Sequence, residues 1–317
     1  MKVAVIESTS QGVNYHRLIN PLSYTDHDLT LYNTIPLDKV DKVDCDVVIF
    51  SRFMYEPEQL KIIRKFNHRG TKVVVDIDDY WVLPQNHVGY HGHKVNGVTS
   101  KIVEAIQHAD EVWTTHKMLA TKIRKHNKNV KVYPNALDPT DEQWHPKPTK
   151  SDNFRIGFVG GITHEQDLYE TARAWRSNDV EAVLCGVSEH KVFNTYNYIM
   201  SGNGTKKIRV LSMLDVHSYG LFYDHMDISI APLTDSTFNK MKSNLKIIES
   251  GMKATPIICS WMHPYIDDHE GIYKTDNWRK AFAKVSKMGA AKMYDQGQAL
   301  REYVIKNYDI RNHKRTL

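Results

Sequence analysis

Short β-rich runs alternate with helical patterns almost from the first residue, and this alternation limits what the 317-residue chain can fold into more than any other feature. VAVIES, LTLYN, DVVIFS, KVVVDI, EVWTT and VKVYPN read as strands of five or six residues. Several are apolar at nearly every position, as strands buried on both faces must be. Between them, EPEQLKIIRKFNHRG and TSKIVEAIQHAD carry apolar residues at helical spacing, and Gly70 supplies a helix stop. Such alternation means parallel strands with helices on both sides.

The pattern breaks once and then restarts. YPNALDPTDEQWHPKPTKSDN holds four prolines among polar residues and marks a domain boundary at about residues 138–153. FRIGFVG, EAVLCG, KIRVLS, DISIAPL and TPIICS then read as a second set of strands, with EQDLYETARAWRS and FNKMKSNLKIIESG among the connecting helices. The expected fold is α/β, with two Rossmann-like domains facing across a cleft. Residues 1–145 form the N-terminal domain, 146–300 the C-terminal domain, and 301–317 a helical tail returning towards the first. Trp278 to about Tyr308 is expected to be a charged helix packing across both halves.

Composition narrows the class. Hydrophobic residues make up 41% and charged residues 25%, without low-complexity tracts, which describes an ordinary globular protein with room for two cores. No apolar run approaches the roughly 20 residues that cross a bilayer. MKVAVIESTS is too short for a signal peptide, so a cytoplasmic location is expected. Cys45, Cys185 and Cys259 lie far apart in apolar runs, predicting neither a disulfide nor a thiolate metal site. The net charge of +5 permits an anionic ligand without pointing to nucleic acid.

Ligands bind doubly wound domains at the C-terminal ends of the strands. RIGFV runs into Gly160 and Gly161, which allow close backbone approach, and the helix after them offers free N–H groups to a phosphate. His164 can donate to a phosphate or sugar oxygen, or cap that helix. FNKMKSNLKIIESG reads as one amphipathic helix at about 3.6 residues per turn. Met241, Leu245, Ile248 and Met252 form its apolar stripe, and Asn239, Lys242, Lys246 and Glu249 the polar row beside it. Lys242 and the amides around Ser243 suit a diphosphate, while Glu249 suits two ribose hydroxyls.

In the first half, Gly12 permits close approach, and Tyr15, His16 and Arg17 are either recognition groups or the first turn of a helix. Asp76, Asp78 and Asp79 form the densest acidic cluster. It can orient an acceptor hydroxyl, take its proton, hold a divalent cation, or cap a turn. His87, His91 and His93 are close in sequence but lack a Cys pair or an HExxH helix, so they read as a loop touching acceptor or sugar, without metal.

These residues resemble retaining glycosyltransferases of the GT-B fold, specifically the glycogen-synthase-like group called family four, over nearly the whole chain. VYPNALD looks like that group's turn before the inter-domain linker. RIGFVGGITHEQDL looks like its glycine loop, and IAPLTDSTFNKMKSNLKIIESGMKATPIICS like its nucleotide-binding helix and following strand. FNxxKSxxKxxE followed by xxPII is a form seen in compact members, many encoded by bacteriophages. The resemblance implies that Glu249 binds the ribose, that Lys242 and Ser243 meet the diphosphate, and that Gly160 and Gly161 let phosphates approach. It also shows departures. Many relatives carry Glu eight positions before the ribose-binding Glu, where this chain has Met241, and their Arg and Lys after the glycine loop give way to the region of Thr163, His164 and Glu165. Lys242, Lys246 and His164 are the candidates to replace that charge.

The implied reaction is retaining, metal-independent transfer of a sugar from a nucleoside diphosphate sugar, UDP-linked for preference, to an acceptor hydroxyl. No cofactor is required. Asp78, Asp79, His87 and Lys242 are the candidate catalytic residues. Acceptors range from phage DNA with hydroxymethylated pyrimidines, whose base would have to leave the helix, to glycan, lipid or protein; a phage enzyme would work in the host cytoplasm. The alternatives are a nucleotide-sugar-binding protein without turnover and a metal-dependent GT-A-like transferase using the DIDD cluster.

Overall fold

The computed structural model describes residues 1–7, 11–51, 58–146 and 154–317. Ser8, Glu56 and Pro57, at the ends of expected elements, and residues 147–153 of the expected boundary lie outside the described residues. The chain divides into two compact units. The first comprises Met1–Ala136, Met241–Ser243 and Ile310–Leu317, and the second Leu137–Lys240 and Asn244–Asp309.

The first unit is built on β1 (Lys2–Ile6), β2 (Asp28–Tyr32), β3 (Val47–Ser51), β4 (Lys72–Ile77), β5 (Glu111–Thr114) and β6 (Val130–Val132). All pair in parallel in the order β2-β1-β3-β4-β5-β6. Alternate residues serve opposite faces, as the period of a strand requires. Ala4, Ile6, Val48, Phe50, Val73 and Val75 pack with Ile62, Ile63 and Phe66 of the helix Gln59–His68 and with Ile102 and Ile106 of the helix Val98–His108. Val3, Val5, Val47, Ile49, Val74 and Trp113 meet Leu18 and Leu22 on the other face.

The second unit contains β7 (Arg155–Val159), β8 (Glu181–Val187), β9 (Arg209–Ser212), β10 (Ile228–Ala231), β11 (Ile257–Ser260) and β12 (Ile272–Thr275). They form a parallel sheet in the order β12-β11-β10-β7-β8-β9. The helix Trp278–Tyr308 breaks at Gly289, whose φ of 74° is non-helical. Phe282 and Val285 before the break pack on the face carrying Ile156, Phe158 and Leu184, whereas Leu300 and Val304 after it join Ile257 and Cys259 on the opposite face.

Two sequence expectations need correction. EQDLYETARAWRS is not one helix but two, Glu165–Tyr169 and Ala172–Ser177. Thr171 lies between them, its hydroxyl donating to the Leu168 carbonyl and accepting from the Trp175 indole N–H, a local bond that competes with helix continuation. FNKMKSNLKIIESG is likewise divided into Thr237–Lys240 and Leu245–Met252. Met241 leaves the expected stripe and buries its side chain in the core of the first unit, while its carbonyl lies 2.7 Å from His116 Nε2. The polar row is therefore not one helical face: among its four residues only Lys246 and Glu249 share a helix.

Candidate functional site

The strand order of the second unit reverses between β7 and β10, and in such sheets the crevice for a ligand opens at the strand ends beside that reversal. Gly160 follows β7 directly. A Cβ there would stand 2.4 Å from Phe158 Cζ, so glycine is needed for packing, whereas a Cβ on exposed Gly161 would meet nothing within 4 Å. Tyr196, on the helix Val192–Met200, fastens the turn: its hydroxyl donates to the Gly161 carbonyl at 2.9 Å and accepts from the His164 amide at 3.0 Å. Burial holds this phenol above the usual tyrosine range, so it stays protonated.

Asp167 ties the two loops at the reversal together. It is 4% exposed, and Oδ1 accepts from the Thr234 amide (2.9 Å), the Thr234 hydroxyl (3.0 Å) and Asn239 Nδ2 (2.8 Å). Oδ2 lies 2.9 Å from His164 Nδ1. Gly160, Gly161, His164 and Asn239 are thus brought together in the second unit. Asp167, read only as a possible helix start, and Thr234, given no role in the sequence reading, are what join them. The one local signal was the i,i+3 spacing of His164 and Asp167 at the start of a helix.

A second cluster surrounds the helix Leu245–Met252. Lys246 Nζ donates to the Tyr219 hydroxyl (2.7 Å) and to Glu249 Oε2 (2.8 Å), and the Tyr223 hydroxyl donates to the same Oε2 (2.8 Å). Glu249 is buried. Burial alone would favour loss of the Lys246 proton, but the Glu249 charge and the Tyr219 oxygen outweigh it and hold the ammonium above the usual lysine range. Burial also raises the Tyr219 phenol and the Cys185 thiol, each to about 12. Asn244, preceding this helix, does not cap it; its Nδ2 donates to Asp267 Oδ2 and the Tyr308 hydroxyl.

The other candidates lie in the first unit. The carbonyl of Met241 can only accept, so His116 carries its proton on Nε2, and Nδ1 accepts from the Leu119 amide. Ser243 Oγ accepts from Asn135 Nδ2 at 2.8 Å, and Lys242 between them is half-buried. Arg17 lies in the π-helix Tyr15–Ile19 and is buried against Asp76, with Nε and NH2 donating to the two carboxylate oxygens at 3.0 and 2.7 Å. Its NH1 donates to the Tyr133 carbonyl and to Asn135 Oδ1. His16 is buried beside Arg17, Tyr15 sets its ring edge-on to His16, and Gly12 is exposed. Asp78 and Asp79 are half-buried just past β4. His87 Nδ1 accepts from the Gly89 amide, while His91 and His93 sit on a short helix, Tyr90–Val95, rather than in an open loop. Among the described residues no group of three His, Cys, Asp or Glu side chains could hold a metal ion, and no helix is long and apolar enough to cross a membrane.

No protein-family model and no curated protein matches the sequence. Solved structures do. HepE of Anabaena in complex with UDP and glucose superposes with a TM-score of 0.70 at 10% identity, covering 99% of this chain and 96% of that one. Its complex with UDP-glucose gives 0.69 at 12%. TarM gives 0.63 at 12% identity over 87% of this chain and 55% of its own, so the chain spans about half the length of TarM. A UDP-forming trehalose-phosphate synthase of Burkholderia xenovorans with glucose-6-phosphate gives 0.61 at 10%, covering 88% and 74%. At these identities the likeness shows the fold: two Rossmann-like α/β units of the GT-B type.

Proposed function

We propose that the protein transfers a sugar from a nucleoside diphosphate sugar, with UDP as the nucleotide, to an acceptor hydroxyl. The observation that carries this reading is the end-to-end likeness to HepE, whose structures hold UDP and UDP-glucose. The polar residues gathered at the strand ends of the second unit support it. In this reading the second unit holds the donor. Gly161 admits the diphosphate and His164 donates to it; for Lys242 and Ser243, in the first unit, a diphosphate role rests on the family resemblance alone. Among the described residues the side-chain bonds of Glu249 go to Oε2, and Oε1 is assigned to the ribose hydroxyls. Asn239 acts through its bond to Asp167, and Lys246 through its bond to Glu249.

The bond from the anomeric carbon to the diphosphate breaks, its electron pair passing to the leaving oxygen, and the acceptor oxygen forms the new bond on the same face. Its proton goes to a carboxylate of Asp78 or Asp79. Cations and N–H donors aimed at the leaving diphosphate stabilise the transition state more than the ground state, which lets the reaction run without a metal ion. Gly12, Tyr15 and His87 of the first unit are assigned to acceptor or sugar, whereas Arg17, buried against Asp76, and His16 beside it act through the packing of that segment.

The test is a thermal-shift panel of UDP, GDP, ADP, dTDP and CDP on the protein and on Glu249→Gln, followed by NMR of products from the matching sugar. UDP at a hundred times its Kd should add about 2.7 kcal/mol of stability, and the variant should lose the shift. Retention predicts an unchanged anomeric configuration in the product, with turnover undiminished by EDTA. Glycan, lipid, protein and hydroxymethylpyrimidine DNA acceptors are separated by which one takes up label. A panel without any shift overturns the reading.

A further inference from the structure

We propose that Tyr223 is a positioning residue for the donor ribose: together with Lys246 it fixes Oε2 of Glu249, so that the carboxyl group meets the ribose hydroxyls already oriented. The inference rests on the proposed donor site.

Two groups from different segments converge on one oxygen. Lys246 precedes Glu249 by about one turn of the helix Leu245–Met252, and its Nζ lies 2.8 Å from Oε2. Tyr223 belongs to the 3₁₀ helix Tyr219–His225 between β9 and β10, and its hydroxyl lies 2.8 Å from the same oxygen. The bond directions follow from the groups themselves. An ammonium has donors and no acceptor, so Oε2 accepts from Lys246. Burial first, and the neighbouring Glu249 second, hold the Tyr223 phenol well above the usual tyrosine range, so it keeps its proton and donates.

Each donor is itself held in place. Lys246 Nζ also donates to the Tyr219 hydroxyl at 2.7 Å, and the Tyr219 ring stands edge-on to Phe222 with centroids 5.5 Å apart. Phe222 and Tyr223 pack with Val159 of β7 and with Val183 and Cys185 of β8. The Gly220 amide donates to Gln143 Oε1 at 3.1 Å, and a Cβ at Gly220 would stand 2.5 Å from the Gln143 carbonyl oxygen, so the 3₁₀ helix is seated directly on the turn Glu142–Trp144. On the Glu249 side, Ile247, Ile248 and Met252 anchor the helix in the core with Ile257 and Cys259. A glutamate side chain ordinarily loses rotamer freedom when a ligand arrives; here that cost falls on folding, and the ligand is spared it.

Tyr223→Phe removes one hydroxyl and leaves the ring in its packing. UDP and 2′,3′-dideoxy-UDP, which lacks both ribose hydroxyls, are titrated by calorimetry into the wild type and the variant. The wild type should bind UDP at least about tenfold more tightly than the dideoxy analogue. Tyr223→Phe should weaken UDP about fivefold and the analogue by less than about twofold, since a loosened carboxyl group matters only to a ligand that contacts it. A loss shared equally by both nucleotides, as a general loosening of the fold would give, or no loss for UDP, overturns the inference while leaving the donor site standing. A wild type that binds UDP and the analogue alike overturns it without recourse to any variant. A wild-type chain that binds no nucleoside diphosphate overturns the proposed function and this inference together.

Discussion

Replacing Lys246 by Met tests whether the cluster on the helix Leu245–Met252 is an electrostatic unit. Its Nζ is 2.8 Å from Glu249 Oε2, with the lysine side chain 23% exposed and the glutamate 3%. The partners are therefore unequal. Without the lysine, a nearly dry carboxylate keeps, among the described residues, the Tyr223 hydroxyl; without the glutamate, the ammonium retains Tyr219 and some water. Removing one side of a buried pair costs about 3–5 kcal/mol. The retained Tyr223 bond puts Lys246→Met near the lower end, about 3 kcal/mol, and Glu249→Gln, which loses mainly a charged hydrogen bond, should cost about 1–2 kcal/mol. For a unit of this size, Lys246→Met then lowers Tm by about 6–12 °C. Melting followed by circular dichroism measures both variants. An unpartnered buried carboxylate is relieved by taking a proton, so the Lys246→Met deficit should narrow between pH 8 and pH 5. A Tm within about 2 °C of wild type, a larger loss in Glu249→Gln, or a deficit constant with pH would refute the reasoning.

Arg17 and Asp76 are 2% and 1% exposed, so Asp76→Asn should destabilise the first unit by about 3–5 kcal/mol in urea melts, with Arg17→Met/Asp76→Leu recovering most of it; an unchanged Asp76→Asn midpoint would disprove a buried ion pair. Burial alone would push Glu111 up, but hydrogen bonds from Trp113 and Lys131 and the charges of Lys72 and Lys131 prevail and hold its carboxyl below 4.5. The stability it contributes is present above pH 4.5 and is lost as pH falls through the depressed value, so Glu111→Gln should flatten the acid limb of Tm against pH; parallel acid limbs would contradict this. Gly160→Ala must displace the Phe158 ring and should cost about 1–3 kcal/mol, whereas Gly161→Ala meets nothing and should melt like wild type. If phosphate approaches Gly161 closely, the same Gly161→Ala should weaken UDP about tenfold; unaltered affinity in calorimetry would remove Gly161 from the donor site.

Much of the architecture was legible because it is local. Apolar runs of five or six residues, the glycine stop at Gly70 and the restart of the pattern near Phe154 depend on neighbours along the chain, and β1 to β11 follow them. β12 was missed because IYKT has Tyr273 and Lys274 half-buried between its buried ends and sits at a sheet edge, where no run of apolar residues is required. The break in FNKMKSNLKIIESG was invisible for a different reason. Periodicity alone supports one amphipathic helix, but the Met241 carbonyl and side chain are claimed by His116 and the core of the first unit. Lys246 and Glu249 could be paired by their i,i+3 spacing, yet not the tyrosines that join them.

The sequence by itself determined the alternation of strands and helices, the two-fold restart, and which residues stand just beyond the strand ends, since each follows from local spacing and turn chemistry. The tertiary structure alone decided which of those residues meet. Arg17 with Asp76, Asp167 with Asn239 and Asn135 with Ser243 are 59, 72 and 108 positions apart, and hydrogen bonds over such separations are set by sheet order and crossover connections, to which no local period is sensitive.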